Sequence, residues 1–172
     1  MKTCVISFSS RADGNCAAIA DCVQETLGAE GLTRFDFSGL SVHGCGACHC
    51  ECFRQREACP YFADDAFRLN EAAALAGRAV FIVPNYCDFP CSNFFLFNER
   101  SQCCFNGHAE LADRYLAVPK KFIVVSNTGR ENFLAAFRDH VLPRTEPDVC
   151  FLRAAAYHRI SLDGDLMTCE PA

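Results

Sequence analysis

The chain contains no apolar run approaching the ~20 residues that a membrane-spanning helix needs. It also has no low-complexity stretch and no internal repeat, which sets aside fibrous, solenoid and disordered classes. The opening Met1-Lys2-Thr3-Cys4-Val5-Ile6-Ser7-Phe8 is too short for a signal peptide and ends in a polar turn, so a cytoplasmic protein is expected. There is no surplus of positive charge. Sixteen Lys and Arg stand against 21 Asp and Glu, a formal net charge of -5, and neither nucleic acid nor an anionic membrane is expected as partner. His43, His49, His108, His140 and His158 form no HExxH motif or triad, and no side chain stands out as a catalytic acid, base or nucleophile. At 172 residues, 51% of them hydrophobic, the chain is long enough for one well-cored domain, 1–172.

What the chain has in excess is cysteine, 14 in all. In a reducing compartment that many thiols point to metal binding, redox chemistry or burial. Cys4, Cys22 and Cys150 fall inside apolar runs, where a thiol behaves as a small hydrophobe. Five others crowd into the segment from Cys45 to Cys59.

Residues 2–8 read as a buried strand and 15–28 as a helix, with Ala18, Ile19, Cys22, Val23 and Leu27 at helical spacing. Residues 32–37 alternate as a second strand, and 38–60 form a long irregular loop, the kind usually kept for function. Asp64 and Asp65 open a helix to about Gly77. Residues 79–83 make a third strand ended by Pro84, about 91–104 a helix, 121–125 a fourth strand, 131–140 a helix and 148–156 a fifth strand. Strands alternating with helices predict a parallel sheet covered on both faces. Ligands are then expected past the carboxyl ends of the strands.

Three loops follow strands there. The first is Ser9-Ser10-Arg11-Ala12-Asp13-Gly14-Asn15-Cys16, leading into a helix N-terminus where outward N–H groups and the dipole favour an anion. Two hydroxyls and a guanidinium add donors suited to phosphate; an ordinary polar turn with Asn15 as N-cap is the alternative. The second is Pro84-Asn85-Tyr86-Cys87-Asp88-Phe89-Pro90. The third is Ser126-Asn127-Thr128-Gly129, where Gly129 permits close backbone approach. In the cysteine loop, Cys45-x2-Cys48 with Cys50 or Cys52 and then Cys59 can direct several thiolates at one ion. An iron–sulfur cluster, zinc, and free or redox-active thiols all remain open, with His43 and His49 as accessory ligands.

Ser-x-Arg-x-x-Gly-Asn after a first strand resembles the phosphate loop of NADPH-dependent FMN reductases, flavodoxin-like proteins related to quinone reductases and iron–sulfur flavoproteins. That resemblance, over about residues 2–157, implies a flavodoxin-like doubly wound parallel sheet of five strands in the order 2-1-3-4-5. It implies FMN held by Ser9, Ser10, Arg11, Gly14, Asn15 and Cys16 at its phosphate. Pro84, Asn85, Tyr86, Cys87 and Asp88, with Ser126, Asn127, Thr128 and Gly129, would then lie around its ring. Ser92, Phe94, Phe97, Glu99 and Arg100 resemble the family's next helix, although Phe94, Phe95 and Phe97 read better as core. The cysteine loop resembles that of the iron–sulfur flavoproteins, which implies a 4Fe-4S cluster on Cys45, Cys48, Cys52 and Cys59; Asp64-Asp65 resembles the acidic pair that follows a Cys-rich segment in relatives without a cluster. The implied activity is electron transfer from NAD(P)H through flavin to a small-molecule or protein acceptor, in a homodimer or homotetramer. A non-enzymatic electron carrier and a flavin-free zinc- or thiol-binding protein are the rival readings.

Overall fold

Strand β1 (Thr3–Ser7) is buried at all five positions, because it lies between β2 (Leu32–Asp36) and β3 (Arg78–Tyr86) with helices on both faces. The computed structural model describes residues 2–46, 48–126, 131–140, 148–154 and 166–170. The first helix, α1 (Asn15–Leu27), joins β1 to β2. Single 3-10 turns at Phe37–Gly39, Glu51–Phe53 and Arg56–Ala58 punctuate the long connection to α2 (Asp65–Leu75). After β3 come β4 (Phe89–Pro90), α3 (Ser92–Phe105), α4 (Ala109–Ala117), β5 (Lys120–Ser126), α5 (Glu131–His140), β6 (Asp148–Ala154) and β7 (Leu166–Glu170).

Alternation along the strands sends side chains to opposite faces. Cys4, Ile6, Ala79, Phe81, Val83, Phe122 and Val124 point to one core, and Val5, Val80, Ile82 and Val125 to the other. The first core meets Leu69 and Ala73 of α2, Phe94 and Phe97 of α3, Tyr115 of α4 and Phe133 of α5. It is a phenylalanine layer: Phe8 sits 5.3 to 5.6 Å from Phe37, Phe81, Phe94 and Phe97, mostly edge to face. The second face is covered by α1 through Cys16, Ile19 and Ala20, the apolar stripe that the helical spacing predicts.

The architecture is the expected α/β sheet, but its strand order needs correction. The path is β2-β1-β3-β5-β6-β7, with β4 paired to β3 off the path, so the order reads 2-1-3-5-6 where 2-1-3-4-5 was expected; the five expected segments are parallel neighbours, and the numbering shifts because strands are added to them. Two features cause the difference. Pro84 does not end the third strand, which continues to Tyr86 and turns back into β4, antiparallel to it. At the far edge, β7 pairs antiparallel to β6, a strand beyond the five expected. The fifth expected strand, 148–156, is described as far as Ala154. Helix α4 is an addition to the expected elements. It begins just after Gly107, whose φ of 73° closes α3. At nine residues it is too short for its period to stand out in the sequence. The first helix starts at Asn15, as the expected 15–28 span has it, and its N-cap is Gly14 rather than Asn15.

Candidate functional site at the carboxyl edge of the sheet

The carboxyl ends of β1 and β3 bring two of the three expected loops together. After β1 the chain passes through buried Phe8 and Ser9 to the N-terminus of α1. The Ser9 Oγ accepts a bond from the Arg11 N–H at 3.0 Å, which closes the loop on itself. Asn93, in the first turn of α3, donates through Nδ2 to the Phe8 carbonyl at 2.8 Å and to the Ser10 Oγ at 2.9 Å. In both serines the oxygen accepts, so the hydroxyl proton is the group left to donate. Gly14 caps α1 without a side-chain bond. A Cβ there would meet Arg11 Nε at 3.5 Å and Cζ at 3.6 Å, so the guanidinium lies over the helix end. Arg11 Nε is 4.0 Å from Asp13 Oδ1 at an exposed, screened distance.

Cys16 does not enter the loop as a side-chain ligand. It is buried in the α1 core, and burial pushes its thiol up to about 12. What it offers an anion is a backbone N–H in the first helical turn.

The loop after β3 is a tight hairpin. Cys87 and Asp88 both have positive φ, 51° and 67°, and Tyr86 pairs with Phe89 across them. Two such residues in succession match the type I′ turn that fits the twist of a hairpin, a position usually given to Asn and Gly. Asp88 accepts a bond from the Asn132 N–H at 3.3 Å, which ties the hairpin tip to the N-terminus of α5. Pro84 and Asn85, expected in the loop, lie inside the sheet. Asn85 is 1% exposed and donates through Nδ2 to Ser126 Oγ at 3.0 Å, joining the ends of β3 and β5. Tyr86 and Phe89 stand out, 58% and 50% exposed. The Tyr86 phenol is shifted upward by partial burial and by the nearby thiols of Cys16 and Cys91, against the pull of Arg11. Those neighbours place it beside the first loop. Of the third loop, Ser126 is a buried strand end; Asn127, Thr128 and Gly129 lie outside the described residues.

Asn93 and Cys91 are the residues the sequence reading missed. Cys91 Sγ donates to the Phe8 carbonyl at 3.4 Å, and its N–H to that of Pro84 at 2.9 Å. Together they fasten the first loop to the second. The available signal was Asn93 itself, a polar residue inside Ser92-Asn93-Phe94-Phe95-Leu96-Phe97.

The cysteine loop is arranged differently from expectation. Among the described residues no group of three or more His, Cys, Asp or Glu side chains is arranged to hold a metal. The set Cys45, Cys48, Cys52 and Cys59 therefore does not fit a cluster. The physical reason is Arg100, fully buried at 0% exposure. Its Nη1 donates to the His43 carbonyl at 2.6 Å and to Asp64 Oδ2 at 2.7 Å. Its Nη2 reaches the Tyr61 carbonyl at 3.3 Å and Cys59 Sγ at 3.9 Å. Cys45 is separately held, its N–H donating to Glu99. Asp64 also accepts from the N–H groups of His43 at 3.0 Å and Ala66 at 2.9 Å. Burial would raise the Asp64 carboxyl, but these N–H groups and the guanidinium outweigh it and hold it below the ordinary carboxylate range. His43 stacks on Tyr61 at 5.0 Å with Nδ1 3.4 Å from Asp64 Oδ2. The acidic pair and Arg100 thus form the pin that holds the loop to α2 and α3.

No family model matches the sequence, and no curated protein matches it. Solved structures do. Smu.1420 from Streptococcus mutans UA159 superposes with a TM-score of 0.65 at 13% identity, over 89% of this chain and 87% of that one. A flavone reductase gives 0.57 at 14% identity, over 89% of this chain and 54% of that one. The chain has their fold. The flavoenzyme NAD(P)H:acceptor oxidoreductase FerB from Paracoccus denitrificans gives 0.49 at 16% identity, over 74% of this chain and 63% of that one. The chain therefore spans about half of the flavone reductase and under two thirds of FerB. Among the described residues no helix is long and apolar enough to cross a membrane.

Proposed function

We propose that the chain binds FMN and uses it as an oxidoreductase, taking electrons from NAD(P)H and passing them to an acceptor. The observation that carries this is the joining of the β1 loop to the β3 hairpin through Asn93. It sets an anion-seeking helix end beside an exposed aromatic strip at the carboxyl edge of a parallel sheet. The residues fit the cofactor in chemistry. Ser9, Ser10, Arg11 and the uncapped first turn of α1 would hold the phosphate. The backbone of the Cys87–Asp88 turn and the face of Tyr86 would hold the ring. A reductase of similar fold, the flavone reductase, supports the reading.

Bound flavin supplies the electron chemistry, accepting a pair from reduced nicotinamide and releasing it to the acceptor. The chain's own part is positional. Arg11 neutralises phosphate charge, Asp88 fixes the hairpin against α5, and Asn85 with Ser126 keeps the ends of β3 and β5 in register. Purified protein loaded with FMN is expected to oxidise NADH or NADPH when a quinone or ferricyanide is added, followed by loss of nicotinamide absorbance. Tyr86→Ala should weaken FMN binding or change the quenching of its fluorescence. Absence of FMN-dependent nicotinamide oxidation, with the fluorescence of FMN unaltered by the protein, would overturn the proposal.

A further inference from the structure

The thiols that the fold gathers are Cys59, from the loop before α2, and Cys103, with Cys104, on α3. Arg100 lies one turn earlier on the same helix as Cys103, so the i,i+3 spacing stacks the guanidinium beside the sulfur. Arg100 Nε donates to Cys103 Sγ at 3.3 Å, and Nη2 of the same group donates to Cys59 Sγ at 3.9 Å. Cys59 also packs against the buried cluster that holds Cys103 and Cys104. One fixed fork of donors therefore gathers two sulfurs from separate segments of the chain around a single guanidinium. Asp64 holds the fork in place from the other side at 2.7 Å.

The two sulfurs differ in ways that complement one another. Cys103 is buried and Cys59 is half-buried. A bond from the Cys104 thiol, and then the Arg100 guanidinium, hold the Cys103 thiol below its ordinary range despite burial. Burial pushes Cys59 up. The buried Arg100 guanidinium beside both sulfurs supplies positive charge that stabilises a thiolate, most directly at Cys103, where its Nε donates at 3.3 Å.

We propose that Cys59 and Cys103 form a dithiol–disulfide couple that exchanges electrons with small-molecule disulfides. Cys59, the half-buried sulfur, attacks one sulfur of the incoming disulfide, forms a mixed disulfide and releases the first small thiol. Cys103, held at the same guanidinium as Cys59, attacks the Cys59 sulfur and expels the second small thiolate. The Cys59–Cys103 bond forms as the small disulfide bond is lost. Two electrons pass to the small molecule, and the two protein thiol protons leave with the two small thiols. Cys104 is not the partner in the bond. Neighbouring helical residues point about 100° apart, and Cys104 has no bond to Arg100 or Cys59 comparable to that of Cys103.

The test uses fully reduced protein equilibrated in glutathione buffers of increasing disulfide content, then blocked with iodoacetamide and digested with trypsin. Cys59 falls in the tryptic segment 57–68, and Cys103 with Cys104 in 101–114. The expected product is these two peptides joined, lighter than their sum by two hydrogens. Cys104→Ser should retain the link. Cys103→Ser should abolish it and leave glutathione on Cys59. Arg100→Lys, which keeps the charge but loses the fork, should lower the linked fraction at a given buffer ratio. Absence of the linked peptide from the folded wild-type protein at every ratio would overturn the proposal. So would a link that survives Cys103→Ser and is lost in Cys104→Ser.

Discussion

Replacing Arg100 by Met removes a guanidinium that the fold has sealed from water while keeping most of its stem. The partners it leaves behind set the loss. Asp64, whose side chain is 4% exposed, would keep its carboxylate with two backbone N–H donors and no counter-charge. The carbonyls of His43 and Tyr61 would lose a donor each. Breaking one half of a buried ion pair costs about 3–5 kcal/mol. For a domain of this size that lowers the melting temperature by roughly 6–20 °C, at about 2–4 °C per kcal/mol. The acid limb carries the sign. Asp64 has a depressed folded pKa, so its contribution is present above the unfolded carboxylate value of about 3.9 and is lost as pH falls through the folded value. Arg100→Met should flatten that loss, because the guanidinium is one of the groups holding the carboxyl down. The assay is chemical denaturation of wild type, Arg100→Met, Asp64→Asn and the double variant at pH 7 and in acid. The double variant should lose clearly less than the sum of the singles. Arg100→Met within about 1 kcal/mol of wild type, or singles that simply add, would refute the reasoning.

Phe97→Ala should destabilise by about 3–5 kcal/mol in denaturant titration, because Phe97 is 1% exposed and packs at 5.4 Å on Phe8 and 5.7 Å on Phe81; a loss under about 1 kcal/mol would contradict that packing. Cys87→Asn should raise the melting temperature by roughly 1–4 °C, since Cys87 holds a φ of 51° in a turn that favours Asn. An unchanged or lower value in calorimetry would show that the hairpin is not under that constraint.

The elements of the sheet were legible because 79–83 and 122–125 are short, wholly apolar runs, and because the stripe on α1 has a clear period. The hairpin was not. Pro84 reads as a strand end, and Cys87-Asp88 carries none of the glycine or asparagine that announces a type I′ turn. The cysteine loop failed for another reason. Its spacing draws attention to neighbours in sequence, whereas the sulfurs that share a guanidinium come from Cys59 and Cys103, gathered by tertiary packing around Arg100. The acidic pair Asp64-Asp65 was visible as a helix start; that Asp64 also closes a buried ion pair 36 residues away was not.

The reading of a flavin site at the carboxyl edge rests most directly on FMN binding and its dependence on Arg11. Titration of apo-protein with FMN, followed by quenching of flavin fluorescence, should saturate at one FMN per chain. Arg11→Ala should weaken the affinity about tenfold or more, from the loss of a charge-assisted bond of roughly 1.5–3 kcal/mol, with melting temperature unchanged because its side chain is 46% exposed. An isotherm that shows no saturable binding, or an affinity that Arg11→Ala leaves untouched, would contradict the account.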